Sequence, residues 1–350
     1  MEIGGRHQVS ATAASKVTCT SCRSLIFLFC LAPAFIAPAA SAKWKYFRTG
    51  NVADSTVKPT SGFALMGGGA KQDAAYRFLC ERANGGDFLI LRATTEDDYA
   101  KKVNEEIKAL CPLNSAATIV FGDRDDSDAP QVVRIIEQAE AVFFAGGDQS
   151  NCVRFWQDTP VQDALNRHIA AGKPIGGSSA GFAILGEFSF ASIIDTIHSP
   201  EALADPYGNK VTISRDFLRI PLLSGVITDT HFAKRDRMGR LVVFLARILQ
   251  DGWATQVRAI AVEEDVAVLL EPDGSANVVG TGPAYFLEVK NPPEVCRRKA
   301  PLQFRGISVH RAPAGTSFNV KNWSGENGDD YHLSVENGEL KASGSSHGIY

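Results

Sequence analysis

The chain has 350 residues, 45% of them apolar and 21% charged, with a formal net charge of −3. That balance suits one large globular domain with an extension. There is no basic run to suggest nucleic-acid binding and no acidic tail to suggest disorder.

The start of the chain reads as a targeting segment. Arg6, Lys16 and Arg23 form a positive region, and an apolar stretch from Leu25 to Ala39 follows, broken by Pro33 and Pro38. Ala40-Ser41-Ala42 then supplies a small-x-small cleavage site, so residues 1–42 are expected to be a secretory signal peptide. The mature protein is expected to be secreted or extracytoplasmic, with organelle targeting the lesser alternative and no stable membrane association after cleavage. Cys19, Cys22 and Cys30 fall in this leader. Cys80, Cys111, Cys152 and Cys296 remain, open either to two disulfides in any of three pairings or to free buried thiols.

The next segments alternate. Gly62 to Gly69 reads as a strand with a glycine turn, Ala70 to Asn84 as a helix, Phe88 to Leu91 as a strand, Ala100 to Leu110 as a helix and Thr118 to Phe121 as a strand. The run Ala141 to Ala145 reads as a buried strand ending in Gly146-Gly147-Asp148-Gln149. Thr159 caps a helix with Pro160 at its first position, and Gly172 ends it. Pro174 to Gly177 is a short strand entering a sharp turn and helix. Ser224 to Asp229 is a strand that delivers Thr230-His231-Phe232, and Arg237 to Arg247 is the helix after it. Such alternation implies a mostly parallel sheet with helices on both faces. Later, Ala259–Val262, Ala267–Leu270 and Ala276–Val279 read as short antiparallel strands, with a turn at Pro272-Asp273-Gly274. The expected organisation is a catalytic domain over 43–300, a β-rich C-terminal extension over 301–337 and a flexible tail over 338–350.

The chemistry centres on Gly177-Ser178-Ser179-Ala180-Gly181, which fits G-x-S-x-G. In a nucleophile elbow the flanking residues must be small, because strand and helix pack closely around a strained turn that projects the serine hydroxyl. The pattern points to acyl transfer with Ser179 as nucleophile. His231 also follows a strand, and at that position it can act as general base toward Ser179.

With these residues in view, the chain resembles the serine peptidases that include cyanophycinase and aspartyl dipeptidase (peptidase E). Four segments carry the resemblance: Leu65 to Gly69, Ala145 to Gln149, Gly176 to Gly181, and Asp229 to Arg240. Their order and spacing match the family from about residue 60 to about residue 290. The resemblance implies a three-layer αβα fold like that of class I glutamine amidotransferases, with Ser in place of Cys at the elbow. It implies Ser179 as nucleophile and His231 as base, with the amides of Ala180 and of the Gly146-Gly147 turn as oxyanion hole. It assigns substrate contacts to Gln149, Arg235, Arg237 and Arg240, since Arg holds carboxylates through a planar fork. The family places the third triad member between the Ser and the His, where Asp195 fits best and Glu201, Glu187 and Asp229 are alternatives. Cyanophycinases usually carry Gln just before the catalytic His, where this chain has Thr230. That departure weighs against cyanophycin more than against hydrolysis.

The expected function is therefore cleavage of aspartyl or β-aspartyl amide bonds through an acyl-enzyme. Two alternatives stand beside it: an esterase-type serine hydrolase, and a non-catalytic binder of acidic peptides on the same scaffold. The interval of about fifty residues between Ser179 and His231 is short for an α/β-hydrolase. No cluster has metal-ligand spacing, so no metal or cofactor is expected. The expected partner is an aspartyl peptide, with a homodimer left open and no nucleic acid.

Overall fold

The computed structural model describes residues 43–350 apart from residues 71, 95 and 99. The expected signal peptide lies outside the described residues. The first half of the chain alternates strands and helices: β1 (Lys45–Gly50), β2 (Phe63–Met66), α1 (Asp73–Arg82), β3 (Asp87–Ala93), α2 (Ala100–Leu110), β4 (Ser115–Phe121), α3 (Pro130–Gln138), β5 (Ala141–Phe144), α4 (Gln149–Trp156), α5 (Pro160–Ala170), β6 (Ile175–Ser178) and α6 (Ala180–Ala183). β3, β4 and β5 are near-continuous apolar runs because both of their faces are buried. The start of α5 follows its sequence signals, with Pro160 in its first turn and the Thr159 hydroxyl accepting a hydrogen bond from the Gln162 amide.

The second half adds β7 (Phe188–Phe190), α7 (Ser199–Ala204), β8 (Ile213–Arg215), β9 (Val226–Asp229), α8 (Met238–Gln250) and β10 (Val257–Val262). Eight further strands follow: β11 (Val266–Leu270), β12 (Ser275–Gly280), β13 (Ala284–Val289), β14 (Phe304–Ala312), β15 (Ser317–Asn319), β16 (Ser324–Gly325), β17 (Asp329–Glu336) and β18 (Glu339–Ser343).

These strands form two mixed sheets. The first runs β1-β4-β3-β5-β6-β2-β11-β12-β15-β16 and the second β18-β17-β14-β13-β10-β9-β7-β8. Parallel pairing is confined to β4-β3-β5-β6-β2 in the first sheet and β10-β9-β7 in the second. The rest is antiparallel, so the expectation of one mostly parallel sheet gives way to a mixed α/β fold with two sheets. The reason lies in the connections after residue 262. All but the 290–303 segment between β13 and β14 are short turns, which join antiparallel strands, whereas a parallel pair needs a crossover of a dozen or more residues.

Three expectations change here. Residues 259–262 do not pair with 267–270: β10 belongs to the second sheet, parallel to β9, while β11 crosses to the first and pairs with β2. Residues 301–337 divide between the sheets, β14 and β17 continuing one and β15 and β16 the other, and the described residues form one compact unit. The expected flexible tail contributes β18, paired with β17, and its Tyr350 stacks edge-on against Phe232 and Tyr285. Tyr350 is anchored by its hydroxyl, which donates to Asp236 Oδ1 at 2.8 Å and accepts from the Met238 amide at 2.9 Å.

What this arrangement positions is one edge. β2, β5 and β6 are parallel neighbours, so their C-terminal ends open together. β9 and β10 are parallel in the same way. Loops leaving such ends are where ligands collect in α/β sheets. Cys80 of α1 and Cys111 just after α2 are joined by a disulfide, and Cys152 and Cys296 are buried free thiols.

Candidate active site

Ser179 sits between β6 and α6 with φ 54° and ψ −119°, a conformation that L residues adopt rarely. The turn survives because its surroundings over-determine it. The Ser179 amide donates to Met66 O of β2 at 3.0 Å. A Cβ at Gly177 would come within 2.3 Å of Gly181 O, and one at Gly181 within 2.1 Å of Phe144 O. Only glycine lets strand, turn and helix approach this closely.

His231 follows β9, also at positive φ, with its amide donating to Gly67 O at 2.9 Å. Its Nε2 lies 2.6 Å from Ser179 Oγ. Its Nδ1 lies 2.6 Å from Glu264 Oε1, in the loop after β10. Gly68 makes room for the ring, since a Cβ there would fall 2.3 Å from His231 Cε1. Burial pushes the imidazole below its usual range, the bond from Glu264 works against that, and Arg235 and Arg237 add to the lowering. A neutral imidazole that carries its proton on Nδ1, bonded to Glu264, leaves Nε2 as the acceptor facing the serine.

Glu263 ties the two loops of the site together. Its Oε2 accepts from the amides of Ala233 at 2.5 Å and Lys234 at 3.0 Å, while its Oε1 accepts from the Glu264 amide at 2.7 Å. Asp265 closes the other side, its amide donating to Gly68 O at 2.9 Å.

The third-member assignment is therefore corrected. Asp195 is exposed and pairs with Lys210 at 3.5 Å, and Glu201 pairs with the same lysine at 3.3 Å. Neither touches His231. Glu187 accepts from the Gly225 amide at 2.6 Å, and Asp229 is held by Arg240. Glu264 follows His231 in sequence, beyond the interval in which the family resemblance places this carboxylate. The signal that would have found it is local: a run of carboxylates, Glu263-Glu264-Asp265, directly follows an apolar strand.

The arginines separate into different roles. Arg240 is buried, donates through Nε and Nη2 to both oxygens of Asp229 at 2.9 and 2.5 Å, and lies over the Phe190 ring. It cannot reach a ligand in the cleft, so its expected substrate contact is corrected to a structural one: Asp229 in turn accepts from the Thr230 amide at 2.8 Å, just before His231. Arg237 is mostly covered and donates to Thr230 O at 2.8 Å and Thr230 Oγ1 at 3.0 Å. Burial lowers its guanidinium to about 10, against the pull of Asp229. Arg235 is the exposed member, 3.9 Å from Glu264 Oε1.

One cavity contains this centre, and a second is lined by the next residue of the glycine turn, Gly147. The first, of about 410 Å³, is lined by Ser179, His231, Gly68 and Gly146. The other, of about 430 Å³, is polar and lined by Gly147, Gln149, Asp195, Arg235 and Arg237. Gln149 opens α4 and donates to Phe190 O at 3.3 Å. Gly146 packs against the nucleophile, since a Cβ there would lie 3.3 Å from Ser179 Cβ. Ala180 is the first residue of α6, directly after Ser179.

Residues 86–204 match the model of peptidase family S51, a span that includes Ser179 and stops short of His231 and Glu264. The chain is 26% identical over 272 residues to the cyanophycinase of Synechococcus elongatus, covering 74% of this chain and 80% of that one. The cyanophycinase of Thermosynechococcus vestitus gives the same figures. The crystal structure of a peptidase from an acI-B1 Actinobacterium shares the fold, with a TM-score of 0.52 at 16% identity, covering 75% of this chain and 97% of that chain. The chain is a serine-type peptidase similar to the cyanophycinases, and its match to the model of peptidase family S51 spans the elbow.

Proposed function

We propose that this protein hydrolyses amide bonds of aspartyl or β-aspartyl peptides, with Ser179 as nucleophile, His231 as general base and Glu264 as the carboxylate that orients it. The observation that carries the reading is the hydrogen-bonded run from Glu264 through His231 to Ser179, at 2.6 Å in each step. Ser179 Oγ attacks the carbonyl carbon as Nε2 takes its proton. The oxyanion forms against the amides of Ala180 and the 146–147 turn. The imidazolium then protonates the leaving amine, the acyl-enzyme remains on Ser179, and water attacks it by the same route in reverse.

The aspartyl preference is supported by Arg235 and Arg237 in the polar cleft beside Gln149, where a substrate carboxylate would meet positive charge. Thr230 stands where cyanophycinases usually carry Gln, which weighs against cyanophycin as the substrate. The proposal includes a three-layer αβα arrangement of the class I glutamine amidotransferase type around β2–β6. It also includes export directed by residues 1–42 and leaves a homodimer open.

The test is hydrolysis of α-Asp and β-Asp dipeptides and of cyanophycin by the wild type and by Ser179→Ala. The reading expects turnover of at least one dipeptide that the variant loses by roughly 10⁶-fold, the order for removal of a serine nucleophile. Turnover that survives the substitution would refute Ser179 as nucleophile.

A further inference from the structure

The smaller cavity holds a charged group that the mechanism does not use. Arg92 lies near the C-terminal end of β3, two residues from Ile90 and on the same face of the strand. Both line the cavity that contains Ser179 and His231. The rest of the wall is mostly apolar, with Ala100, Val103 and Phe143, and also includes Tyr76, Ser178 and Thr118, whose hydroxyl donates to Asn104 Oδ1 at 2.7 Å. Arg92 Nε is buried and has no hydrogen-bond partner among the described residues. Several other buried side-chain atoms share that condition, but Arg92 is the one of them that lines this cavity. Asp97 feels its charge, yet the hydrogen bond and ion pair of that carboxylate go to Lys45 at 2.7 Å.

A charged donor left unpaired in a mostly apolar wall is costly. A ligand carboxylate would relieve it, because the guanidinium fork matches two carboxylate oxygens and the apolar surroundings strengthen the attraction. A neutral apolar side chain would leave the donor unmet, and an amide would offer it one uncharged acceptor in place of a charged pair of oxygens. An arginyl or lysyl side chain would bring like charge.

We propose that the Arg92 cavity is a subsite for an acidic side chain of the substrate, next to Ser179 and separate from the Arg235–Arg237 cleft. This rests on the reading of Ser179 as nucleophile and deepens it. Gly146 lines one cavity and its neighbour Gly147 the other, so the glycine turn lies between two cationic subsites. A substrate that occupies both carries two carboxylates near the scissile amide, as an aspartyl dipeptide does.

The experiment compares kcat/KM for dipeptides in which one Asp or Glu side chain is replaced by Asn or Gln, using the wild type, Arg92→Gln and Arg92→Lys. At one position the wild type should favour the acid over the amide by roughly 10- to 100-fold, the scale of a charged hydrogen bond. Arg92→Gln should collapse that ratio toward one. Arg92→Lys keeps the charge without the fork and should retain part of it, which a misfolded site would not. A wild-type ratio preserved in Arg92→Gln would overturn the proposal. Labelling by a fluorophosphonate, in the wild type and in Ser179→Ala, reads the underlying assignment separately. A wild type that Ser179→Ala matches in labelling would remove the nucleophile and the subsite together.

Discussion

At the residue scale, His231 carries the pH dependence. Catalysis needs its Nε2 unprotonated, so activity falls as pH drops through the pKa of the folded enzyme. Burial holds that pKa below the usual value near 6.5, so the acid limb of kcat/KM is expected below that value. Glu264 and Arg235 act on it with opposite signs. Arg235 lowers it, so Arg235→Gln should move the limb toward higher pH. The Arg235 side chain is 51% exposed, so added salt should shrink that displacement. Glu264 raises the pKa, so Glu264→Gln should move the limb further to acid. A pH–rate profile of the two variants that shifted in one common direction would contradict this account. Ser179 and His231 were legible because each sits beside a strand end with a recognisable pattern. Glu264 was not, because one carboxylate among 39 acidic residues has no pattern until the strand before it is placed beside another.

At the element scale, the first sheet depends on how α1 and α2 are held over it. The Cys80–Cys111 disulfide links them across 31 residues of sequence. Closing a loop of that size restricts the unfolded chain by about 3–4 kcal/mol in the chain-entropy model. Replacing both cysteines with alanine should lower stability by up to that amount, read as a fall in the denaturation midpoint. A midpoint equal to the wild type, in protein with both thiols shown oxidised beforehand, would contradict the bridge's contribution. Strong local signals marked elements here: Thr159-Pro160 opened α5 where expected, and the apolar runs of β3 and β5 fell within a residue or two of their reading. α3 and α4 escaped it. α3 is short and begins at Pro130 after an acidic turn, and α4 follows the glycine turn so directly that Gln149 reads as loop. The role of Arg240 was hidden for a related reason. An arginine near a helix start reads as solvated, and only the packing of α8, buried along almost its whole length, turns it inward onto Asp229.

At the scale of the whole molecule, the site is made where three loops from different strands converge. The β6 loop brings Ser179, the β9 loop His231 and the β10 loop Glu264. Apart from β1, α3 and α4, the alternation of strands and helices up to residue 183 was readable from local pattern, and it fixes the edge on which the elbow opens. The later strands were readable one at a time but not in their pairing. Choosing between two sheets depends on long-range contacts, such as β11 on β2, that no local pattern encodes. The same long-range step puts Glu264, and not Asp195, behind the histidine. The most direct test is therefore steady-state hydrolysis of the preferred aspartyl dipeptide by Glu264→Gln beside Asp195→Asn. The account predicts a loss of kcat on the order of 10³- to 10⁴-fold for Glu264→Gln, as for the orienting carboxylate of other triads, and near-wild-type kcat for Asp195→Asn. The reverse pattern, with Asp195→Asn inactive and Glu264→Gln close to wild type, would contradict it.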